Sequence, residues 1–396
     1  MTKSYLRQVA EVDQLYQAWS HISDSTKSLH RHSAGIDGQS VNQFAAKADH
    51  YLNQLRATLL SKSGYQFSSL KAHLEPKSSG GDRVICVPTV RDRIVQRAML
   101  DILSTTDNYK FESDASYGFV KGRGVRQAIQ KSLSLRQSRQ WAYKTDISKF
   151  FDSLNRSRIH NEIRRRIRIP TLRDLLFRAT CCEVQPRDKR QLKRIHKAGI
   201  RNGTGLRQGM PISPYLANLF LWEFDHAAVS KDFAMVRYAD DLIFFANSEA
   251  DCDEIHSFCT TRLAEIGLSI DPVGKGKTFV AKPSEPVEFL GVSIDRSNES
   301  YAANVPSRKI NDFKSEIASL GDLDMLLEQK LTISTLMQRL NGKINGWAEA
   351  YGFCANIDQL VDVLSASRQK AIETLFTTGL GMKTLTEKQR RFLEIS

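Results

Sequence analysis

Three aspartates hold the chemistry open to this sequence. Asp240 and Asp241 stand together between two apolar runs, in Val236-Arg237-Tyr238-Ala239-Asp240-Asp241-Leu242-Ile243-Phe244-Phe245. Asp146 closes a third run, Trp141-Ala142-Tyr143-Lys144-Thr145-Asp146. An Asp-Asp pair alone reads as a solvated turn, because Asp is a common turn residue. An acid ending a buried strand is different. Burying it unpaired is costly, so it calls for a metal or a basic partner. Three carboxylates without His or Cys suit hard cations, Mg2+ or Mn2+ rather than Zn2+. Two such ions about 3.5–4 Å apart support in-line phosphoryl transfer. One lowers the pKa of an attacking hydroxyl and the other stabilises the leaving pyrophosphate.

The elements that must position these acids are short strands and helices. The residues flanking Asp240-Asp241 favour strand, so they predict a tight hairpin with the acids at its turn. Lys77 and Arg83 flank a Ser78-Ser79-Gly80-Gly81-Asp82 turn signal. A hairpin there brings both cations within reach of one polyphosphate; the alternative is two solvated surface charges. Gly203-Thr204-Gly205-Leu206-Arg207-Gln208-Gly209-Met210-Pro211-Ile212-Ser213-Pro214 is a polar glycine-rich loop. Ser213 and Pro214 suit the N-cap and N1 of the helix after it. Leu216, Leu219, Phe220 and Phe224 form that helix's apolar face. Ser116-Tyr117-Gly118-Phe119-Val120-Lys121-Gly122-Arg123-Gly124 is a second glycine-punctuated loop, leading into a helix.

Helical spacing of apolar residues also predicts helices over 5–22, 41–60, 91–103 and 249–267. Residues 287–292 read as one strand with Gly291 at a bend. From about residue 297 the pattern is helical, near 307–320, 333–350, 357–378 and 386–394. The expected division is an N-terminal helical extension over 1–66, a central α+β region over 67–296 and C-terminal helices over 297–396.

Charge points to the partner. The 396 residues carry 57 Lys and Arg against 44 Asp and Glu, a net charge of +13. Such a balance suits a polyanion, most often nucleic acid. Arg123, Arg164, Arg165, Arg190 and Arg194 lie in basic loops or runs. These runs suit a nucleic-acid backbone or a subunit interface, with solvated faces as the plain alternative. No segment approaches the roughly 20 apolar residues of a membrane span. The start, Met1-Thr2-Lys3-Ser4, lacks a signal-peptide pattern, so a cytoplasmic location is expected. Six cysteines without any Cys-x-x-Cys pair read as structural thiols.

Over roughly residues 35–352 the chain resembles a reverse transcriptase, most closely the bacterial group II intron branch. Gly35-Ile36-Asp37-Gly38, Lys77 with Arg83, Pro88-Thr89-Val90-Arg91-Asp92-Arg93 and Ser116-Tyr117-Gly118-Phe119 appear in the family's order. Asp146 to Asp152, Gln208-Gly209 with Ser213-Pro214, Tyr238-Ala239-Asp240-Asp241, Lys277-Thr278 and Phe289-Leu290-Gly291 continue it. The Asn345-Gly346-Trp347 stretch resembles the family's thumb.

The resemblance implies an α+β right-hand polymerase fold, with fingers, a palm built on an antiparallel sheet, and a helical thumb. It implies that Asp146, Asp240 and Asp241 are catalytic and hold two Mg2+ ions with the Ile147 carbonyl. Phe151 takes the steric-gate position that excludes a 2′-hydroxyl; core packing is its alternative. Gln208 is implied to contact nucleotide and template, and Lys277 to protonate pyrophosphate. Gly291 and Trp347 are implied to meet nucleic acid. The fused nuclease or integrase segments, and the retron motifs, are not found, so the chain looks most like the stand-alone defence-associated enzymes. Those work with a structured non-coding RNA, take dNTPs and release a DNA product. Two alternatives stay open: an intron maturase, and a template-independent or protein-primed polymerase on the same fold.

Overall fold

This computed structural model describes residues 4–77, 80–106, 110–382 and 384–393. Ser78 and Ser79 of the expected turn, and Glu394 of the expected last helix, lie outside the described residues. The class is α+β, as expected.

The first helix pattern is two helices, α1 (Tyr5–Val9) and α2 (Val12–Ser25). Val9 and Ala10 are buried at the joint, and the break lets both apolar faces reach the core. The second pattern also splits, into α3 (Val41–Ala45) and α4 (Ala48–Leu59). Ser40 caps α3 with a reciprocal capping box to Gln43. Strands β1 (Leu70–Pro76) and β2 (Asp82–Val87) pair antiparallel, with Glu75 opposite Arg83. Then come α5 (Val90–Thr105), α6 (Val125–Ser138), β3 (Trp141–Asp146) and α7 (Phe150–Ser153). Helices α8 (Arg156–Arg166) and α9 (Pro170–Thr180) precede β4 (Val184–Gln185), which pairs parallel with β1. Next are α10 (Lys189–Lys197) and α11 (Ser213–Ser230).

The expected hairpin follows as β5 (Ala234–Tyr238) and β6 (Asp241–Ala246). Leu242, Ile243, Phe244 and Phe245 of β6 are at most 1% exposed. Burial on both faces explains an unbroken apolar run, and each such side chain contributes roughly 1.5–3 kcal/mol. Helix α12 (Glu249–Glu265) leads to β7 (Phe279–Ala281), completing a sheet of order β5-β6-β3-β7.

The single strand expected over 287–292 is a hairpin, β8 (Val287–Phe289) and β9 (Val292–Ser297). Leu290 and Gly291 both take positive φ, 52° and 75°, as a two-residue hairpin turn requires. Strand β10 (Ser300–Asn304) pairs with β9, so the helical pattern expected from about residue 297 begins only after this hairpin. Helices α13 (Ser307–Ser319), α14 (Leu323–Glu328), α15 (Ile333–Tyr351) and α16 (Ile357–Thr374) follow. A π-helical turn over Leu375–Gly379 and α17 (Glu387–Phe392) end the fold.

The chain forms two compact units. The first holds Met1–Gly122, Lys144–Leu242 and Asp253–Thr278; the second holds Arg123–Tyr143, Ile243–Cys252 and Phe279–Ser396. In the second, Arg136 is fully buried and donates to the carbonyls of Ile294, Lys282 and Glu285. No helix among the described residues is long and apolar enough to cross a membrane.

Candidate active site

The turn between β5 and β6 is Ala239-Asp240; it carries Asp240, while Asp241, expected at the turn with it, opens strand β6. Ala239 holds a left-handed backbone, φ 58°, which costs a residue with a side chain about 1–3 kcal/mol. The surroundings hold it there. The Ile147 N–H donates to the Asp240 carbonyl at 2.9 Å, tying the turn to the end of β3. From beneath, the wholly buried Arg237 donates to the Ala239 carbonyl at 3.2 Å. The same guanidinium grips both Asp225 oxygens at 2.7 and 2.6 Å, Asn218 Oδ1 at 3.1 Å and Ser116 Oγ at 2.9 Å. Asn218 in turn donates to the Gly118 carbonyl at 3.0 Å. Gly118 packs so tightly that a Cβ would stand 2.4 Å from the Ala239 nitrogen.

Asp146, Asp240, Asp241 and Lys277 form one electrostatic cluster. Burial pushes the Asp240 carboxyl above its ordinary pKa, and the charges of Asp146 and Asp241 push the same way. Burial works to lower the Lys277 ammonium. Its 2.6 Å bond to Asp146 and the charges of Asp146, Asp241 and Asp240 outweigh that and hold it raised. Asp241 pairs with the buried Lys144 at 2.8 Å. Lys144 and Asp146 are two apart on β3 and share a strand face. Among the described residues, no three His, Cys, Asp or Glu side chains are clustered tightly enough to make a closed metal cage. The donor set still fits Mg2+, which is ordinarily held by one or two carboxylates with substrate phosphates and water completing its shell. Asp146 and Asp240 supply those carboxylates, and the strained charge on Asp240 is one that a cation would relieve.

Both acids line a cavity of about 620 Å3, in the size range of small-molecule sites. Lys77, Arg83, Ile147, Phe151 and Gln208 line it with them. Lys277 reaches it through Asp146. Neighbouring Phe150 is 2% exposed and fills the core, while Phe151 is half-buried and faces the cavity. The glycine-rich loop fastens Phe151 in place. The Leu206 N–H donates to the Phe151 carbonyl at 2.8 Å, and a Cβ on Gly205 would stand 2.8 Å from the Phe151 and Asp152 carbonyls. The Gln208 carbonyl accepts from the Cys86 N–H at 2.7 Å, joining this loop to β2. Gly209, φ 103°, leaves no room for a Cβ against the Cys86 carbonyl. Ser213 is the first residue of α11 rather than its cap; its hydroxyl donates to the Arg207 carbonyl at 2.8 Å and closes the loop instead.

The basic residues are exposed but partly engaged. Arg194 grips Asp82 with two bonds, 2.9 and 2.6 Å, and Arg165 pairs with Glu162 and Glu223. Arg164 donates to Asn161 at 3.0 Å, and Arg190 stands exposed on α10. Arg123, Gly291 and Trp347 belong to the second unit. There Trp347 stacks on Phe313 with centroids 4.2 Å apart, and Lys309 reaches the Gly291 carbonyl at 3.3 Å.

Sequence reasoning passed over Arg237, Asp225, Asn218 and Lys144. The available signal was a charge against the pattern: an Arg and a Lys inside apolar strands, and an Asp in an apolar helix. The raised Asp240 pKa also yields a prediction. A group with a raised folded pKa keeps its proton longer in the folded state. Stability of the metal-free protein therefore falls as pH rises from the ordinary Asp value through the folded one. Mg2+ must displace that proton, so its affinity climbs with pH over the same window and levels off above it. Calorimetry in buffers of different ionisation enthalpy should record proton release; none would contradict the assignment.

A family model described as "Reverse transcriptase (RNA-dependent DNA polymerase)" matches residues 75–294. Protein YkfC of Escherichia coli K12 is 26% identical over 365 residues, covering 80% of this chain and 90% of that one. The Putative COX1/OXI3 intron 2 protein of Saccharomyces cerevisiae is 26% identical, covering 56% of this chain and 24% of its own. Retron Ec83 reverse transcriptase of Escherichia coli is 24% identical, covering 64% of this chain and 78% of its own.

Proposed function

The chain belongs to the reverse transcriptase (RNA-dependent DNA polymerase) family, and from that premise we propose that it copies a partner non-coding RNA into cDNA in antiphage defence. The observation that carries the polymerase reading is the cavity that Asp146 and Asp240 share with Lys77, Arg83, Phe151 and Gln208. The fold is the family's right-hand fold. We assign residues 1–66 to an N-terminal extension, 67–296 to fingers and palm, and 297–396 to thumb and C-terminal helices.

Asp146, Asp240, Asp241 and the Ile147 carbonyl would hold two Mg2+ ions, with Mn2+ as a substitute. When bound, these ions activate the primer 3′-hydroxyl and offset charge on the leaving pyrophosphate. The chain's own groups do the rest. Lys77 and Arg83 neutralise the triphosphate of the incoming dNTP. Gln208 orients the nucleotide against the template. Lys277, held protonated by its acidic neighbours, carries a proton available to pyrophosphate. The exposed Arg164 and Arg190, with Arg123, Arg165, Arg194, Gly291 and Trp347, are assigned to the RNA and the growing duplex.

Phe151 closes the cavity against a 2′-hydroxyl. Phe151→Ala is expected to narrow the preference for dNTP over rNTP by about 10²-fold. Competing dNTP and rNTP incorporation on one template measures it, and an unchanged ratio would leave Phe151 as packing only.

The defence role rests on the resemblance to stand-alone defence-associated enzymes. A maturase reading is favoured by the likeness to a protein named for an intron. Purifying the chain with its bound RNA, then sequencing that RNA and the DNA made from four dNTPs, separates the readings. DNA complementary to a short co-purified RNA, with phage protection lost in Asp240→Asn, supports the proposal. Bound intron RNA that still splices with Asp240→Asn favours the maturase.

A further inference from the structure

Phe119 carries a conformation and an exposure that packing does not explain. Its backbone is left-handed, φ 61°, a rare state for a bulky aromatic residue. Burial does not compensate: the side chain is 54% exposed. Nor is the segment loose. Val120 beside it is 5% exposed, and the Tyr117 N–H donates to the Arg237 carbonyl at 2.8 Å. On its other side, Gly118 is pressed against Ala239 and fixed by Asn218. The surroundings therefore impose this conformation on a ring that gains little from the protein itself. Strain that the surroundings impose is a mark of a functional position.

The ring's location says what it meets. Phe119 lines the same cavity as Phe151, Asp146 and Asp240. Its centroid is 6.4 Å from the Tyr238 ring, with a 41° tilt between the planes. The two aromatic rings thus stand together beside the turn that carries Asp240, and the cavity that Phe119 lines is also lined by the cations Lys77 and Arg83. Aromatic rings are sequence-tolerant partners for nucleobases, since every base offers a π-face.

We propose that Phe119, backed by Tyr238, is a stacking platform for a nucleobase at the reacting end, and that its left-handed backbone exists to aim it there. This rests on the polymerase reading. The base belongs either to the incoming dNTP or to the terminal primer nucleotide. Phe119→Gly tests it without threatening the fold, because glycine accepts positive φ freely. Phe119→Trp keeps a larger ring.

Binding is read by fluorescence, with a labelled primer–template in one arm and a dNTP in the other, and turnover is read separately. Phe119→Gly should melt at or above the wild-type temperature. It should weaken one of the two binding steps by about tenfold or more, and Phe119→Trp should restore it. Loss in the dNTP arm places the ring on the incoming base; loss in the primer arm places it on the primer end. Unchanged binding in both arms overturns the proposal. Because binding is read apart from turnover, a wild type that makes no DNA would sink the polymerase reading alone.

Discussion

Asp240→Asn is expected to lower nucleotide incorporation by at least about 10³-fold while the protein stays folded. The loss follows from the weight placed on one carboxylate. A metal contributes several kcal/mol to the transition state, and each 1.36 kcal/mol is tenfold in rate. The fold survives because the charge on Asp240 is a burden in the metal-free protein. Burial and the charges of Asp146 and Asp241 all disfavour it. A neutral amide removes that repulsion, so thermal unfolding without metal should occur at or above the wild-type temperature. Asp241→Asn should behave differently. It strips the buried Lys144 of its carboxylate partner and should lower the melting temperature as well as activity. Single-turnover rates with thermal melts distinguish the two signatures. A folded Asp240→Asn that incorporates at the wild-type rate would remove Asp240 from the chemistry.

Arg237→Met is expected to be the most destabilising single change near the site. Arg237 is 0% exposed and Asp225 is 1% exposed. Removing the guanidinium leaves a buried carboxylate without its charge partner, which typically costs about 3–5 kcal/mol. For a protein of this size that corresponds to roughly 4–6 °C in melting temperature. Adding Asp225→Leu should recover much of the stability, because no uncompensated charge then remains. Activity should not recover with it. The Ala239 carbonyl, Asn218 and Ser116 would still lack their shared donor, and the turn carrying Asp240 would lose its support. Denaturant unfolding and kcat on the single and double variants test this. Full recovery of kcat in the double variant would show that Arg237 serves stability alone.

The site was legible where chemistry is local. Asp240-Asp241 sits between strand-forming runs, so the hairpin and its turn follow from residue type and period. Lys77 and Arg83 bracket a turn signal, and their meeting at one loop follows equally. Gln208 and Phe151 were readable through order and spacing within the family resemblance. What stayed hidden depends on distant partners. Ser116 is 121 residues from the Arg237 that it bonds, and no periodicity connects them. Nothing in the period of α6 marks Arg136 as buried, because three of its carbonyl partners lie more than a hundred residues away. Local patterns also ran elements together. Apolar spacing continues across the breaks at Ala10 and at Ala46-Lys47, so each helix pair read as one helix. Residues 287–292 read as one strand because Leu290 interrupts no pattern; its positive φ is set by the hairpin it closes.

The central claim is that the cavity around Asp146 and Asp240 makes DNA on RNA. It is tested most directly by primer extension with the purified chain, Mg2+, four dNTPs and an RNA template of defined sequence, followed by sequencing of the product. The expected result is DNA complementary to the template, absent with a chelator and absent with Asp240→Asn. No extension on any primed RNA, or a product whose sequence ignores the template, would contradict the account.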